Sequence, residues 1–346
     1  MNRIKIDPII GSAGIGIIFQ ESHIDHLVPL CSLIGLPLLV TNRELKEDIE
    51  LFYPPINVTC YESDDGCLDK PLEGYDLFVY TEPSRLATKS FLFNNYYCTH
   101  RHVRSIFTHH GNSDKSFHSY WFERMIDEDI MLIYGKHMQE HFNEIGFDKP
   151  MQICGNYRLA YYQEHKVFFQ KKVERYLFKR NKRRTILYAP TWAASDKQVQ
   201  WRFDYGVALD THHWLLDDIP DDYQVLVKLH PNHLIRMPDE VAKIIERYQG
   251  HSQIRFIHNL PLIYPLLEHI DIFVGDFSSV GFDFLYFNRP MFFFSDKRRR
   301  DIFKCGVALQ ENQFWRRVDE DQSHLSEIRS KMYDYAFGQE VCTLIS

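Results

Sequence analysis

Short apolar segments alternate along this chain with segments whose apolar residues recur at helical spacing. Five apolar runs in the first half predict buried strands, at 14–20, 37–41, 76–81, 105–109 and 130–135. Between them, His23–Ile34 and Lys136–Ile145 have the spacing of amphipathic helices. Strands that alternate with helices in this way predict a parallel, doubly wound sheet.

A second series with the same alternation begins after the polar segment 163–184. Its apolar runs predict strands at 185–191, 223–231, 254–258, 271–276 and 290–294, with helices over Asp239–Tyr248 and Val280–Phe287. The chain is therefore predicted to be an α/β protein with two Rossmann-like domains. We expect an N-terminal domain over 1–160, a basic linker over 161–184 and a C-terminal domain over 185–346.

Composition and charge narrow the class of protein. The chain has 346 residues, 45% of them hydrophobic, and a net charge of -7, which argues against a nucleic-acid-binding protein. No apolar run approaches the ~18 residues of a transmembrane helix. The chain begins almost directly at its first predicted strand. We therefore expect no signal peptide, no long N-terminal accessory domain and a cytoplasmic protein.

The linker carries a concentrated positive charge. Eight Lys or Arg residues lie between Lys171 and Arg184, and a further KRRR run follows at 297–300. One interpretation is a solvated helix at the end of a domain. The other is a basic face that approaches an anionic polymer or the inner face of the cell membrane, as a peripheral protein.

Ligands of doubly wound proteins bind where loops leave the carboxyl ends of the strands, so residues at those positions are candidates for chemistry. The run Thr108–Lys115 follows one predicted strand and contains His110 and Gly111. A histidine there can take a proton from a hydroxyl near neutral pH, and the glycine allows a sharp turn. The alternative is an ordinary loop histidine.

Two further strand exits carry residues suited to phosphate. Lys228 and His230 alternate on the run 223–231, which would place both side chains on one face of the strand and make a phosphate or an internal carboxylate their partner. Ser278 and Ser279 follow the run 271–276 at a predicted helix start, where free N–H groups favour phosphate. Asp276 or Ser278 would alternatively be a simple N-cap.

Weaker signals come from Thr191, which with Pro190 ends the run 185–191, and from Arg158, whose guanidinium suits bidentate contact with phosphate. The sequence contains no P-loop, no dinucleotide-binding glycine motif and no cluster with metal-ligand spacing. No metal and no cofactor are therefore expected.

Five of these runs, in their order along the chain, resemble the motifs of the CDP-glycerol glycerophosphotransferase family, the enzymes that build teichoic acid polymers. The runs are HGNSDK (110–115), GNYR (155–158), APTW (189–192), KLHP (228–231) and DFSSVGFDF (276–284). The resemblance covers about Phe107 to Phe294, more than half of the chain.

The resemblance implies a GT-B architecture, with two Rossmann-like domains facing across a cleft. It implies that the N-terminal domain is on the acceptor side and that the C-terminal domain binds the nucleotide donor. It also implies that an acceptor hydroxyl attacks the β-phosphorus of a CDP-polyol, glycerol being the expected polyol, and that CMP leaves. The acceptor would be a glycan or polyol phosphate in the synthesis of a cell-envelope polymer. The family's two functional histidines fall on His110 and His230.

We assign roles on this basis. His110 would be the general base, with Gly111 and Lys115 as secondary residues of the same run. Residues expected to bind the donor phosphates are Lys228, Ser278, Ser279, Arg158 and Thr191, with Asp276 secondary.

Three positions depart from the family pattern, namely Asn112 in place of Thr, Tyr157 in place of Pro, and Ala193 where Arg is frequent. They bear on which polyol and acceptor are used. Two alternatives stay open: a GT-B glycosyltransferase or epimerase that uses a sugar nucleotide, and a non-catalytic nucleotide-binding relative.

Overall fold

The described part of the chain forms two compact units. The computed structural model describes residues 13–62, 68–81, 103–109, 111–112, 128–179, 181–191, 213–257, 260–294, 301–309 and 313–338. Of these, the first unit comprises the residues within 13–111, 128–169 and 335–338, and the second comprises Asn112 and the residues within 170–334.

The first unit is built on a parallel sheet. Seven described strands lie in the order β3-β2-β1-β4-β5-β6-β7. Their bounds are β1 Gly14–Ile18, β2 Leu38–Val40, β3 Val58–Cys60, β4 Leu77–Tyr80, β5 Arg104–Thr108, β6 Ile130–Ile133 and β7 Met151–Ile153. The strand order reverses between β1 and β4, the switch point at which doubly wound sheets bind ligands.

The described helices of this unit connect consecutive strands or follow the last one. They are α1 Ile24–Ile34, α2 Arg43–Phe52, α3 Asp69–Leu72, α4 Lys136–Glu144, α5 Tyr157–Glu164 and α6 Lys166–Val173. Gly35 ends α1 in the left-handed conformation, with φ of 73°, which glycine adopts without steric cost. Asn42 begins α2, because its side chain accepts the N–H of Leu45 at 2.9 Å.

The second unit repeats this architecture. Six described strands are parallel, in the order β10-β9-β8-β11-β12-β13. Their bounds are β8 Arg184–Ala189, β9 Tyr223–Val227, β10 Ile254–Phe256, β11 Ile272–Gly275, β12 Met291–Phe294 and β13 Val307–Leu309. Here the order reverses between β8 and β11. The central strands are buried along their length, as in a parallel sheet covered on both faces.

The described helices of the second unit are α7 His213–Leu216, α8 Pro231–Arg236, α9 Pro238–Tyr248, α10 Tyr264–Leu267, α11 Ser279–Phe284, α12 Phe314–Arg317 and α13 Ser326–Phe337. On α9 the buried residues Val241, Ile244 and Tyr248 recur at helical spacing. This spacing is the pattern from which the sequence predicted a helix here. Within the described residues, no helix is long and apolar enough to cross a membrane.

The units divide the chain at other positions than the sequence suggested. The segment 161–184 is divided between the two units: its residues up to Phe169 belong to the first unit and those from Gln170 to the second. The ring of Phe169 packs against those of Tyr53 and Tyr161 in the first unit. Residues 335–338 also belong to the first unit: the ring of Phe337 packs against Tyr134, and Tyr335 donates a hydrogen bond to Glu140.

Candidate active site

Three loops that carry candidate functional residues leave neighbouring strands of the second sheet. The APT, KLHP and DFSS runs follow β8, β9 and β11, and these three strands are adjacent in the sheet order. Because all strand pairs are parallel, the loops emerge at the same carboxyl edge. The pair β8–β11 is the switch point, where ligands of doubly wound proteins bind.

The prediction that Lys228 and His230 lie on a strand is wrong. Strand β9 ends at Val227, and both residues follow it. The N–H of Lys228 still bonds to the Tyr188 carbonyl of β8 at 2.9 Å, so the chain stays close to the sheet for one more residue. Pro231 has no N–H with which to continue the pairing, and its fixed φ suits the first turn of α8.

His230 is the N-cap of α8. Its Nδ1 accepts the N–H of Asn232 at 3.1 Å, so in the neutral ring Nε2 carries the proton. The half-buried ring therefore has a defined tautomer, with Nε2–H as a hydrogen-bond donor at the carboxyl edge of the sheet. One turn further, burial lowers the pKa of His233 to about 4, so this second histidine is neutral near neutral pH.

The DFSS loop begins α11. Ser278 occupies the N-cap position with extended backbone, as one of the two alternatives predicted, but its hydroxyl makes no capping bond. That hydroxyl donates instead to the carbonyl of Ala189 at 3.3 Å. Ser279 is the first residue of α11 and is half-buried. Both serines thus lie beside the end of β8, at the switch point.

Asp276 directly follows β11 and is fully buried. Its carboxylate accepts the hydroxyl of Thr191 at 2.7 Å and the N–H of Thr191 at 2.9 Å. It also accepts the N–H of Ser278 at 3.0 Å. Asp276 is therefore not an N-cap; it joins the loops that follow β8 and β11.

Arg158 lies in the first unit, on α5, and is buried against α1. Its guanidinium forms an ion pair with the Asp25 carboxylate, and its Nε donates to the Asp25 carbonyl at 3.2 Å. Pro29, four residues further along α1, has no N–H to offer that carbonyl. Arg158 thus replaces a missing hydrogen bond of the helix, a role that its sequence position did not suggest.

His110 and Lys115 lie outside the described residues, so their predicted roles stay predictions. The described neighbours are consistent with a sharp turn after β5: Gly111 has φ of 113°, a conformation that favours glycine. Asn112, one of the departures from the family pattern, is buried.

A polar network beside this turn was missed by sequence reasoning. The hydroxyl of Tyr134 lies 3.0 Å from Nδ1 of His26, 3.1 Å from the hydroxyl of Tyr157 and 3.3 Å from the carbonyl of His109. Burial raises the pKa of Tyr134 and Tyr157 above the usual value, so both hydroxyls stay protonated. The available signal was a tyrosine directly before Gly135, at the exit of an apolar strand.

Titratable residues in the described ranges do not gather into a metal-binding group: no cluster of three or more His, Cys, Asp or Glu is present there. The carboxyl edge of the second sheet instead carries cationic and polar residues, namely Lys228, His230, Ser278 and Ser279. Such groups are suited to bind an anionic ligand.

The chain has two doubly wound parallel sheets, each with a central switch point, and the solved structures similar to it are of GT-B enzymes, the fold that the resemblance implied. The structure of the wall teichoic acid polymerase TagF is similar over 96% of this chain and 85% of that one, with a TM-score of 0.60 and 14% identity. A UDP-GlcNAc 2-epimerase from Neisseria meningitidis bound to UDP-GlcNAc is as similar, with a TM-score of 0.61, 10% identity and coverage of 94% and 96%. These likenesses show the fold alone.

The family is indicated by the sequence comparison. Residues 158–325 match the model of the CDP-Glycerol:Poly(glycerophosphate) glycerophosphotransferase family, and this region belongs to that family. The resemblance seen in the motifs is thereby confirmed. The teichoic acid poly(glycerol phosphate) polymerase of Bacillus subtilis (strain 168) is 29% identical over 112 residues, which are 32% of this chain and 14% of the polymerase. The chain thus matches only a small part of that relative's length.

Proposed function

We propose that this protein transfers a polyol phosphate, glycerol phosphate in the first instance, from a CDP-activated donor to an acceptor hydroxyl in the synthesis of a cell-envelope polymer. One observation carries the proposal. The region that matches the glycerophosphotransferase family, 158–325, contains the three loops that leave the adjacent strands β8, β9 and β11 at the carboxyl edge of the second sheet. These loops supply a lysine, a histidine with a defined tautomer and two serines.

The proposed reaction is a displacement at phosphorus. The acceptor oxygen bonds to the β-phosphorus of the CDP-polyol, the bond from that phosphorus to the bridging oxygen breaks, and CMP leaves with the bridging oxygen. His110 would take the proton of the acceptor hydroxyl, a transfer that contributes about 10²–10⁴-fold. Catalysis of this kind otherwise requires positioning and neutralisation of charge.

The second unit would supply that neutralisation. In the proposed complex, Lys228 and the Nε2–H of His230 contact oxygens of the pyrophosphate as negative charge develops on CMP. Ser279, at the start of α11, contacts the donor phosphates with its hydroxyl and N–H. Ser278 contacts them with its hydroxyl, which gives up its bond to the Ala189 carbonyl, while its N–H stays with Asp276. Because these cationic and hydrogen-bonding groups neutralise the negative charge of the pyrophosphate, the proposed mechanism requires no metal and no cofactor.

Ligand-dependent unfolding tests the proposal, since it separates cytidine from uridine nucleotides. We expect CDP and CDP-glycerol to stabilise the protein, by about 2.7 kcal/mol at 100 times the dissociation constant. CDP-ribitol is included to test the polyol, and UDP and UDP-GlcNAc test the sugar-nucleotide alternative. Stabilisation by the uridine nucleotides alone would reject the proposal in favour of that alternative.

A pair of lysine variants locates the site in the same experiment. Lys228→Met should remove most of the stabilisation by CDP, because it removes the cation after β9. Lys243→Met is the matched control, since Lys243 is exposed on α9, away from the strand exits. Equal loss in both variants would contradict the assignment of Lys228.

We also propose that the protein associates peripherally with anionic membranes at the cytoplasmic face. The support is a set of exposed lysines in the basic segment, Lys171, Lys179 and Lys182, together with Val167 on the preceding turn of α6, which is 70% exposed. Arg184, at the end of this segment, forms an ion pair with the Asp319 carboxylate, with 2.9 Å between its guanidinium nitrogen and the carboxylate oxygen. It is therefore not part of the proposed surface.

Vesicle co-sedimentation tests this association. Binding to anionic vesicles should exceed binding to neutral ones and should weaken as salt rises, because charges are screened over about 8 Å at physiological ionic strength. Changing Lys171, Lys179 and Lys182 to Gln should abolish it. The same change at the exposed residues Lys70, Lys136 and Lys243 alters the net charge equally and should not.

A further inference from the structure

A buried carboxylate joins two loops of the proposed donor site. Asp276 has no solvent exposure, and its two oxygens accept hydrogen bonds from the hydroxyl and N–H of Thr191 and from the N–H of Ser278. Thr191 is 2% exposed and Ser278 is 7% exposed. If the carboxylate were removed, two buried N–H groups would lose their acceptor, at a cost of about 1–3 kcal/mol for each unpaired group.

These bonds cross the switch point of the sheet. Strands β8 and β11 are paired in parallel up to Ala189 and Gly275, and the sheet hydrogen bonding ends there. Asp276 is the next residue after β11, and Thr191 is the second residue after β8. The carboxylate therefore continues the connection between the two strands beyond the last pair of the sheet, into the loops.

The geometry leaves Thr191 a different role from the one that its motif suggests. Its hydroxyl and its N–H are both given to Asp276. Asp276 itself carries the same sign of charge as a phosphate, and direct contact between them would be repulsive. The hydroxyl of Ser278, by contrast, donates to an uncharged acceptor, the carbonyl of Ala189, and at 3.3 Å this bond is longer than the 2.7 Å bond of the Thr191 hydroxyl.

We propose that Asp276 is a positioning residue of the donor site and that Thr191 acts through Asp276 rather than on the donor. The pair holds the APT loop against the DFSS loop, which places Ser278 and Ser279 for the phosphates. The inference rests on the proposed function, because it names the donor site as the structure that is positioned.

A double-mutant cycle measured by calorimetry with CDP tests the coupling. Thr191→Val removes the hydroxyl with little change in shape. Asp276→Asn replaces one of the two accepting oxygens of the carboxylate with an NH₂ donor. We expect each to weaken CDP binding roughly fivefold, the equivalent of about one hydrogen bond. We expect the double variant to be no weaker than Asp276→Asn alone. Thr191→Ser should restore wild-type affinity.

The opposite edge of the same two strands provides a matched control. There the N–H of Thr185, near the start of β8, donates to Asp271 at 2.7 Å, just before β11, and the Thr185 hydroxyl accepts the Nε2–H of Gln224 at 2.9 Å. Thr185→Val keeps the first bond and removes the second. Thr185→Val makes the same chemical change as Thr191→Val, on the same strand but at the amino edge. It should leave CDP affinity unchanged. An equal loss of CDP affinity in Thr185→Val would show that Thr191→Val acts by general destabilisation, which would overturn the inference.

Hydrogen exchange gives a readout that does not require Asp276→Asn to fold. In the free protein, Thr191→Val should raise amide exchange in the segment 276–280, whereas Thr185→Val should not. Unchanged exchange in Thr191→Val would overturn the inference.

The outcomes also separate this inference from the proposed function. If wild type binds CDP and the losses in the cycle are additive, Thr191 contacts the donor directly and the positioning role is wrong, while the proposed function stands. If wild type does not bind CDP, both fail.

Discussion

His230 has an observed structural role through one ring nitrogen and a proposed catalytic role through the other. Nδ1 begins helix α8 by accepting the N–H of Asn232, and this bond leaves the proton of the neutral ring on Nε2. The local fold thus selects the tautomer that the proposed contact with a phosphoryl oxygen requires. A substitution that keeps the first function and removes the second separates catalysis from stability.

His230→Asn is that substitution. Asparagine is a favourable N-cap residue, so α8 should keep its start and the melting temperature should stay near that of wild type. Turnover should fall by about 10²–10³-fold, the usual effect of removing one hydrogen-bond donor to a developing negative charge. Steady-state kinetics together with thermal unfolding measure both quantities. Turnover near the wild-type rate in a folded variant would remove His230 from the mechanism.

His233 makes stability depend on pH. Burial lowers its pKa from 6.5 to about 4, so between these values the unfolded chain binds a proton that the folded protein does not. Stability is therefore retained above pH 6.5 and is lost as the pH falls towards 4. The full effect is about 3 kcal/mol at ~1.4 kcal/mol for each pH unit.

Urea unfolding between pH 7 and pH 4.5 measures this dependence. His233→Gln should flatten the curve relative to wild type, because it removes the group that titrates on unfolding. His324→Gln, at an exposed position, is the control and should follow the wild-type curve. Identical slopes for wild type and His233→Gln would show that other groups carry the pH dependence.

At the scale of elements, α1 and α5 are joined by one buried residue. Arg158 compensates both for the negative charge of Asp25 and for the N–H that Pro29 lacks. Arg158→Met leaves a buried carboxylate without its partner. It should lower the free energy of unfolding by about 3–5 kcal/mol.

Arg184→Met is the control for that substitution, since the Arg184–Asp319 pair is exposed and should contribute only about 0–1 kcal/mol. Chemical denaturation of the two variants measures the difference. If Arg158→Met instead keeps its stability and loses affinity for CDP, then Arg158 binds the donor, as its motif suggested.

The central strands could be predicted from the sequence, because burial on both faces makes them continuous apolar runs. The short strands β3, β7 and β13 gave no such signal. They lie at the edges of the two sheets and have only three residues each. Strands β3 and β7 are only partly buried and each contains a polar residue, while β13 is apolar but too short to stand out as a run. The strand β9 ended earlier than expected, because an apolar run does not show where pairing stops.

The same limit applies to the site. Sequence patterns indicated which polar residues follow the strands, since a loop after a buried strand is recognisable from its residues alone. They did not indicate partners. Whether Thr191 meets a phosphate or a carboxylate depends on Asp276, which lies 85 residues away in sequence and is brought near only by the pairing of β8 with β11.

At the scale of the whole molecule, fold and family contribute different parts of the argument. The GT-B fold is equally similar to a polymerase that acts in wall teichoic acid synthesis and to a sugar-nucleotide epimerase, so it does not decide between phosphorus and carbon chemistry. The match over 158–325 favours phosphotransfer, and the three loops of the second sheet place suitable groups within that region.

Release of CMP tests this conclusion most directly. The protein is incubated with CDP-glycerol and a synthetic lipid-linked glycerol-phosphate primer, and nucleotides and primer are separated by chromatography, with His230→Asn as the control. We expect CMP and added glycerol phosphate in equal amounts with wild type and far less of both with the variant. Absence of CMP under conditions in which CDP-glycerol binds, or conversion of UDP-GlcNAc in its place, would contradict the account.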